Sequence, residues 1–464
     1  MKSNIILASA ALVTQTLFAT EPPNAIPPTP SKQQMAWQRH ELLMFSHFGI
    51  KTYYPSEDHM GSGEESPSKF NPEKLDAKQW IAAAKAGGFK GIILTAKHHD
   101  GFCNWPTETT DFSVKSSPWK DGKGDVVKEF ADACHESGMW FGIYLSAYDV
   151  NYGKSSKDKA AYSKYFEQQL TELCSNYGVV DELWFDGFGA ENMKVDWKNV
   201  SPIIRKLQPN AVIFNDLVTD MPQSCVRWPR NEGGNAGEPN WSVQPPPDKD
   251  LKINKDARWF PAEADTIAQG NWFWNGSPIC TLERLQTIYS TSVGRGGVAL
   301  INVPPNQQGL IDEASIARLT EFKTWVDGIY ARDAAVNKKA SASAVRGKDP
   351  RFGPDKAVDN NYDTYWTTDD DVTTGYLEVD LGQPLDIDGV IIQEYIPLGQ
   401  RIAAHRIEFL DGSEWREVTS GTTVGYKRIH WKKFKAQRVR LVITRSRACP
   451  LVNSFQIIQS SKGS

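Results

Sequence analysis

The sequence predicts an α/β fold, an irregular (β/α)8 barrel, followed by an all-β sandwich. Three observations predict it. Eight short apolar runs alternate with stretches of helical periodicity as far as Tyr330. Beyond Tyr330 the pattern changes to short alternating runs separated by turn residues. At 464 residues the chain exceeds one ordinary domain. Strands alternating with helices build a parallel sheet, and eight such units close into a barrel.

The strand-like runs are Leu43–Phe48, Gly91–Ala96, Trp140–Ser146, Glu182–Asp186, Ala211–Asn215, Cys225–Trp228, Trp259–Ala264 and Val298–Val303. Helical spacing marks Pro72–Gly87, which starts on proline and ends on glycine, then Asp125–Gly138, Lys157–Tyr177, Asp196–Leu207, Thr281–Val293 and Asp312–Gly328. No helix is evident between the fifth and sixth runs, and Gly233–Lys255 reads as a long Pro/Gly/Asn-rich loop, so the second half of the barrel is expected to be irregular. Within 340–459, Tyr376–Leu381, Gly389–Glu394, His405–Leu410 and Arg438–Thr444 alternate as antiparallel strands do. The expected organisation is therefore a barrel over 32–335 and a sandwich over 340–459.

Composition narrows the function. A formal charge of -4 gives no basic footprint for nucleic acid. The 16 tryptophans make a carbohydrate ligand plausible, because indole faces stack on the apolar faces of sugar rings. Lys2, an apolar run from Ile5 to Phe18 and Ala19 read as an export signal over 1–19, too short to span a membrane. The expected location is periplasmic or secreted. Six scattered cysteines without a CxxC pair read as buried thiols, not a disulfide framework.

Asp186 ends the apolar run Glu182-Leu183-Trp184-Phe185 and is followed by Gly187. A buried strand holds a carboxylate only for a purpose. Glu232 ends a later run just before Gly233-Gly234. Two acids at strand ends of one barrel are what a glycoside hydrolase needs; the alternative for each is a helix cap or an arginine partner. His47 closes the first run, His98 and His99 follow the second with Trp105 shortly after, and Tyr144 lies in the third, so these groups converge on the same mouth. A histidine–aspartate zinc site is the rival, disfavoured because neighbours in extended chain point to opposite sides and HxH or HExxH spacing is missing. Trp272-Phe273-Trp274 is expected to give one aromatic wall, with Trp274 chosen, and Glu263 and Asp216 are reserve candidates for the acid.

The motifs HFG at His47, KHHDGF at Lys97, ELWFDG at Glu182, RWPRNEGG at Arg227 and NVPPNQQGLID from Asn302 resemble the α-L-fucosidases of glycoside hydrolase family 29, over roughly residues 32 to 335. The RW..NEGG form resembles the branch acting on α-1,3/1,4-linked fucose of Lewis-type glycans. The resemblance implies a retaining enzyme with Asp186 as nucleophile and Glu232 as acid/base. His47, His98, His99 and Tyr144 would hold the fucose ring of a fucosylated oligosaccharide, with Trp105, Trp228 and Trp274 as further sugar contacts. Catalysis would need no cofactor. The chain departs from the family at Glu57–Gly63, which lacks the usual Glu-Trp pair; His59-Met60 or a shifted Glu57 is expected to replace it. The rival functions are a glycan-binding barrel without catalysis and another exo-glycosidase.

The later stretches Ala357–Trp366 and Leu377–Gly382 resemble a discoidin-type (coagulation factor 5/8 C-terminal) sandwich, similar to carbohydrate-binding module family 32. That resemblance implies a structural calcium with Asp359 and Thr364 as ligands, although Gln456 stands where the family has an acidic one.

Overall fold

The computed structural model describes residues 20–55, 60–156, 158–215 and 217–461. Its first half is a nearly closed parallel sheet: β1 (Leu42–Ser46), β2 (Gly91–Lys97), β3 (Trp140–Leu145), β4 (Glu182–Trp184), β5 (Val212–Phe214), β6 (Cys225–Val226), β7 (Glu263–Ile267) and β8 (Val298–Asn302). The strands pair in the order β6-β5-β4-β3-β2-β1-β8-β7. Between β6 and β7 a single bridge, Arg227 to Ala262, completes the ring. Most of these strands read as largely apolar runs because both faces are covered.

Helices pack outside, and several start where a side chain satisfies the first free amides. Asp76 accepts from Lys78 N at 2.9 Å, so the first crossover helix begins at Ala77, not at Pro72. Asp125 caps Val126–Ser137 through Lys128 N at 2.8 Å, and Gly138, at φ 66°, ends it in the left-handed conformation. Lys159–Asn176, Trp197–Leu207, Leu282–Thr291 and Glu313–Tyr330 complete the outer ring.

The seventh strand differs from expectation. Arg258–Trp259 pairs antiparallel with Val243–Gln244 outside the barrel, and the barrel strand runs from Glu263 to Ile267. Glu263 and Asp265 break the apolar run, which hides this strand from a hydrophobicity reading. Inside the barrel, Phe45, Tyr144, Trp184 and Phe214 form an aromatic core, with Trp184 and Phe214 stacked at 3.8 Å between centroids. Beneath them the indoles of Trp184 and Trp37 donate to the two oxygens of Glu263, at 2.8 and 3.1 Å.

The C-terminal region is a seven-stranded antiparallel sheet around its own core. The separate runs 376–381 and 389–394 belong to one strand, Gly375–Glu394, which pairs with Arg428–Ser446 and shifts register between Asp380 and Leu385. Several contacts join this region to the barrel. Lys427 Nζ meets Glu41 Oε1 at 2.6 Å and also Tyr330 OH. The loop after β6 is gripped from the sheet: Gln400 donates to Asn240 O at 3.1 Å and accepts from Ser242 N at 2.7 Å, Thr423 Oγ1 accepts from Asn240 N at 3.0 Å, and Arg428 pairs with Glu238. No disulfide joins any of the six cysteines among the described residues, and five of them are buried. No helix among the described residues is long and apolar enough to cross a membrane. The export-signal stretch 1–19 lies outside the described residues.

Candidate active site

His47, His98, His99, Tyr144 and Asp186 lie at or just past the C-terminal ends of barrel strands, whereas Glu232 lies in the loop beyond β6. After β1, His47 is held by Asn302 at the end of β8: Asn302 Oδ1 accepts from His47 N at 3.2 Å and lies 2.9 Å from His47 Nδ1. Asn302 Nδ2 donates to Trp272 O at 2.7 Å, so its oxygen is the atom facing His47 and the imidazole carries a proton on Nδ1. Lys97 and Asp100 of the KHHDGF motif are scaffolding. Lys97 forms a buried ion pair with Asp149 at 3.0 Å, and Asp100 Oδ1 accepts from Phe102 N at 2.6 Å. Gly101, at φ +94°, packs so closely on Asp149 that a Cβ would sit 2.3 Å from its oxygen, so the turn after the two histidines requires glycine.

That turn overturns one expectation. His98 and His99 lie in a turn, not in extended chain, and their rings are 4.2 Å apart and line the same cavity. The described residues nonetheless hold no group of three or more His, Cys, Asp or Glu placed to share a metal ion.

Asp186 follows β4 and receives three donors. Tyr144 OH reaches Oδ2 at 2.9 Å, His99 Nε2 lies 3.4 Å from Oδ2, and Phe188 N donates to Oδ1 at 2.8 Å. His99 is itself fixed through Nδ1, 2.6 Å from Ser146 Oγ. Burial pushes the Asp186 carboxyl up, but the His99 hydrogen bond and charge, the Phe188 amide and the Tyr144 hydroxyl outweigh it and hold it below the usual carboxylate value. Burial, and then the Asp186 charge, push the Tyr144 phenol well above its ordinary value, so it remains a neutral donor.

Asp186, Glu232, His47, His98, His99 and Tyr144 line one cavity of about 540 Å³. Trp228 also lines it, 42% exposed, with its indole Nε1 donating to Asp265 Oδ1 at 2.9 Å. Two chosen tryptophans lie elsewhere. Trp105 is buried and donates to Glu172 Oε2 at 2.8 Å, and Trp274 donates to Asp312 Oδ2 at 2.8 Å; neither lines the cavity. Trp272 supplies the wall instead, its ring 4.9 Å from that of His47. Glu263 sits below the aromatic floor with both oxygens engaged by indoles, and Asp216 lies outside the described residues. So do Glu57 and His59, whereas Met60 reaches the cavity wall.

Sequence reasoning missed Asp265 and Phe188, both of which line the cavity, and named Trp272 only as one of three aromatics. Asp265 follows Glu263 by two residues, the spacing that puts both on one face of a strand, and ending the run at Ala264 concealed it. A larger cleft of about 860 Å³ lies at the N-terminal ends of β1 and β2, against the sandwich, and includes the Lys427–Glu41 pair. In barrels that end serves stability, not chemistry.

Asp359 and Thr364 lie together in the sandwich. Thr364 Oγ1 donates to Asp359 Oδ2 at 2.8 Å, and Asn361 N donates to Oδ1 at 2.9 Å. On the strand Leu451–Gln459, Gln456 Nε2 lies 3.5 Å from Tyr362 OH, and its Oε1 is buried without a hydrogen-bond partner among the described residues. Oxygen donors of this kind suit calcium, with a single carboxylate charge among the three side chains.

Comparison with known proteins gives a consistent picture. Residues 29–329 match the family model described as alpha-L-fucosidase, and residues 338–454 match the F5/8 type C domain. Alpha-L-fucosidase 1 of Arabidopsis thaliana is 38% identical, over 93% of this chain and 87% of that protein. A putative alpha-L-fucosidase structure from Bacteroides thetaiotaomicron superposes with a TM-score of 0.88 at 34% identity, covering 95% of this chain and all of that one. A Ruminococcus gnavus glycoside hydrolase family 29 fucosidase, solved in complex with fucose, superposes with a TM-score of 0.86 at 30% identity, covering 96% of this chain and 97% of its own.

Proposed function

The chain belongs to the α-L-fucosidase family and is a glycoside hydrolase; from that premise we propose a retaining mechanism directed at α-1,3/1,4-linked fucose of Lewis-type oligosaccharides or glycoconjugates. The observation that carries the reading is the shared cavity of Asp186 and Glu232, with Asp186 held ionised by its donors. An Asp186 oxygen attacks the anomeric carbon while Glu232 gives its proton to the departing glycosidic oxygen, and the C1–O bond to the leaving group breaks. Water then attacks the same carbon, Glu232 takes its proton, and the ester bond to Asp186 breaks to release fucose. His47, His98 and His99 contact the fucose hydroxyls, Tyr144 keeps Asp186 oriented, and Trp272 and Trp228 form aromatic walls. The two carboxylates perform every proton and bond exchange in this scheme, so it calls for no cofactor.

Replacement of Asp186 by Ala, assayed on an aryl fucoside with azide, is expected to yield β-fucosyl azide. An Asp186→Ala enzyme with full activity would overturn the assignment. Linkage is tested with Lewis-type trisaccharides against α-1,2-linked fucosides, and preference for the latter would remove the branch assignment. The protein is further taken to be exported to the periplasm or medium after loss of 1–19, which the N-terminal sequence of the mature protein checks. The sandwich either binds glycan or only buttresses the barrel, and it is taken to hold a calcium through Asp359, Thr364 and Gln456. A thermal midpoint that EDTA leaves unchanged would count against the ion.

A further inference from the structure

Glu232 sits on a short irregular segment, not on a strand, yet an acid catalyst must be held to within a fraction of an ångström of the leaving oxygen. Arg284 Nη2 donates to Gly233 O at 3.1 Å and Thr291 Oγ1 to Gly234 O at 2.8 Å from the helix Leu282–Thr291, and the remaining ties come from one strand. At its start, the Trp228 indole donates to Asp265 Oδ1 at 2.9 Å. At its end, Gly234 N donates to Asp265 O at 3.1 Å, and Gly233 bridges to Thr266. One residue of β7, 4% exposed, thus grips both ends of Trp228–Gly234. Asn231 stiffens the middle by donating to Asn235 O at 2.9 Å. The carboxyl that anchors the Trp228 indole is also cavity wall beside Glu232.

Resting on the reading of Glu232 as acid/base, we propose that Asp265 is a positioning residue which, through the Trp228 indole and the Gly234 amide, sets where the Glu232 carboxyl meets the leaving oxygen. Its protonation fits the task. Burial, and then the charge of Glu232, push the Asp265 carboxyl well above the ordinary value, so a neutral group faces Glu232 and does not repel it. Asparagine reproduces such a neutral group, including the oxygen that accepts from Trp228.

The experiment compares Asp265→Asn and Asp265→Ala on two substrates, an aryl fucoside with a good leaving group and a fucosyl oligosaccharide whose departing sugar needs a proton. Asp265→Ala should lose about tenfold or more in kcat on the oligosaccharide, the worth of one buried hydrogen bond. On the aryl fucoside it should lose under about threefold by the same reasoning. Asp265→Asn should restore most of the loss, with thermal midpoints close to the parent for both variants. Equal losses on both substrates, or an asparagine variant as poor as the alanine one, would overturn the proposal. Glu232→Gln runs alongside: if it treats the two substrates alike, the reading of Glu232 itself falls. If it discriminates and Asp265→Ala does not, only the role of Asp265 falls.

Discussion

Tyr144→Phe isolates a single hydroxyl. The Tyr144 ring is packed on Trp184 at 5.2 Å and 25° and on His98 at 5.4 Å and 13°, and phenylalanine keeps that stacking. What disappears is the 2.9 Å hydrogen bond to Asp186 Oδ2. A hydrogen bond to a charged group is worth about 1.5–3 kcal/mol, and at about 1.4 kcal/mol per decade this becomes roughly a 10- to 150-fold fall in kcat/KM. The sign of the pH effect follows from Asp186. Its carboxyl lies below the usual value because donors outweigh burial, so removing one donor moves it up. Asp186 must be ionised to attack, so the acid limb of kcat/KM against pH moves to higher pH. The Phe188 amide and His99 remain, which keeps the carboxylate usable near neutrality. The assay is a pH profile of both enzymes on an aryl α-L-fucoside. A lowered rate with an unmoved acid limb would mean that Tyr144 serves the sugar and not the nucleophile, and the reasoning above would be wrong.

Three other outcomes are expected. Trp272→Ala should raise KM for fucosides several-fold, whereas Trp105→Phe leaves it unchanged, since only the first lines the cavity; steady-state kinetics on both variants decide it. Lys427→Met strands Glu41 without its partner in a largely buried site and should cost about 3–5 kcal/mol, seen as a lower thermal midpoint with kcat on aryl fucosides retained. Burial, and then the Glu263 charge, push the Glu182 carboxyl well above its ordinary value, so folding must keep it protonated while the unfolded chain would ionise. Stability from this group is therefore lost as pH rises above the ordinary carboxylate value, by up to about 1.4 kcal/mol per pH unit, until the raised value is passed. Glu182→Gln should thus gain in thermal midpoint relative to the parent from pH 5 to 8, and a widening deficit would refute the assignment.

Much of the barrel was legible because parallel strands covered on both faces are largely apolar, as the stretches 42–45, 91–94 and 298–301 are. The same rule hid β7, where Glu263 is accommodated by two indoles from distant segments and Asp265 by the Trp228 indole, partners no local pattern announces. Asp186 and the polar groups from β1 to β3 could be placed from strand ends alone, because a barrel brings those ends to one mouth, whereas Glu232 reaches it on the loop beyond β6. The choice of Trp274 over Trp272 failed for a different reason: three aromatics in succession face different ways, and Asn302 settles the matter by holding Trp272 O beside His47. His98 and His99 converge through a glycine turn that extended-chain geometry does not foresee.

The grip of Gln400 and Thr423 on Asn240 and Ser242 makes the two halves of this molecule poor candidates for free exchange. Asn240 Oδ1 in turn accepts from Arg227 at 2.6 Å, the residue just before Trp228, so the accessory module reaches the catalytic rim in a few bonds. A lineage that shed this module, or an engineer who grafted another in its place, would leave amides and carbonyls of that loop without their counterparts. Such a chimaera would have to evolve a new brace for the loop before its hydrolase could work as well as the parent.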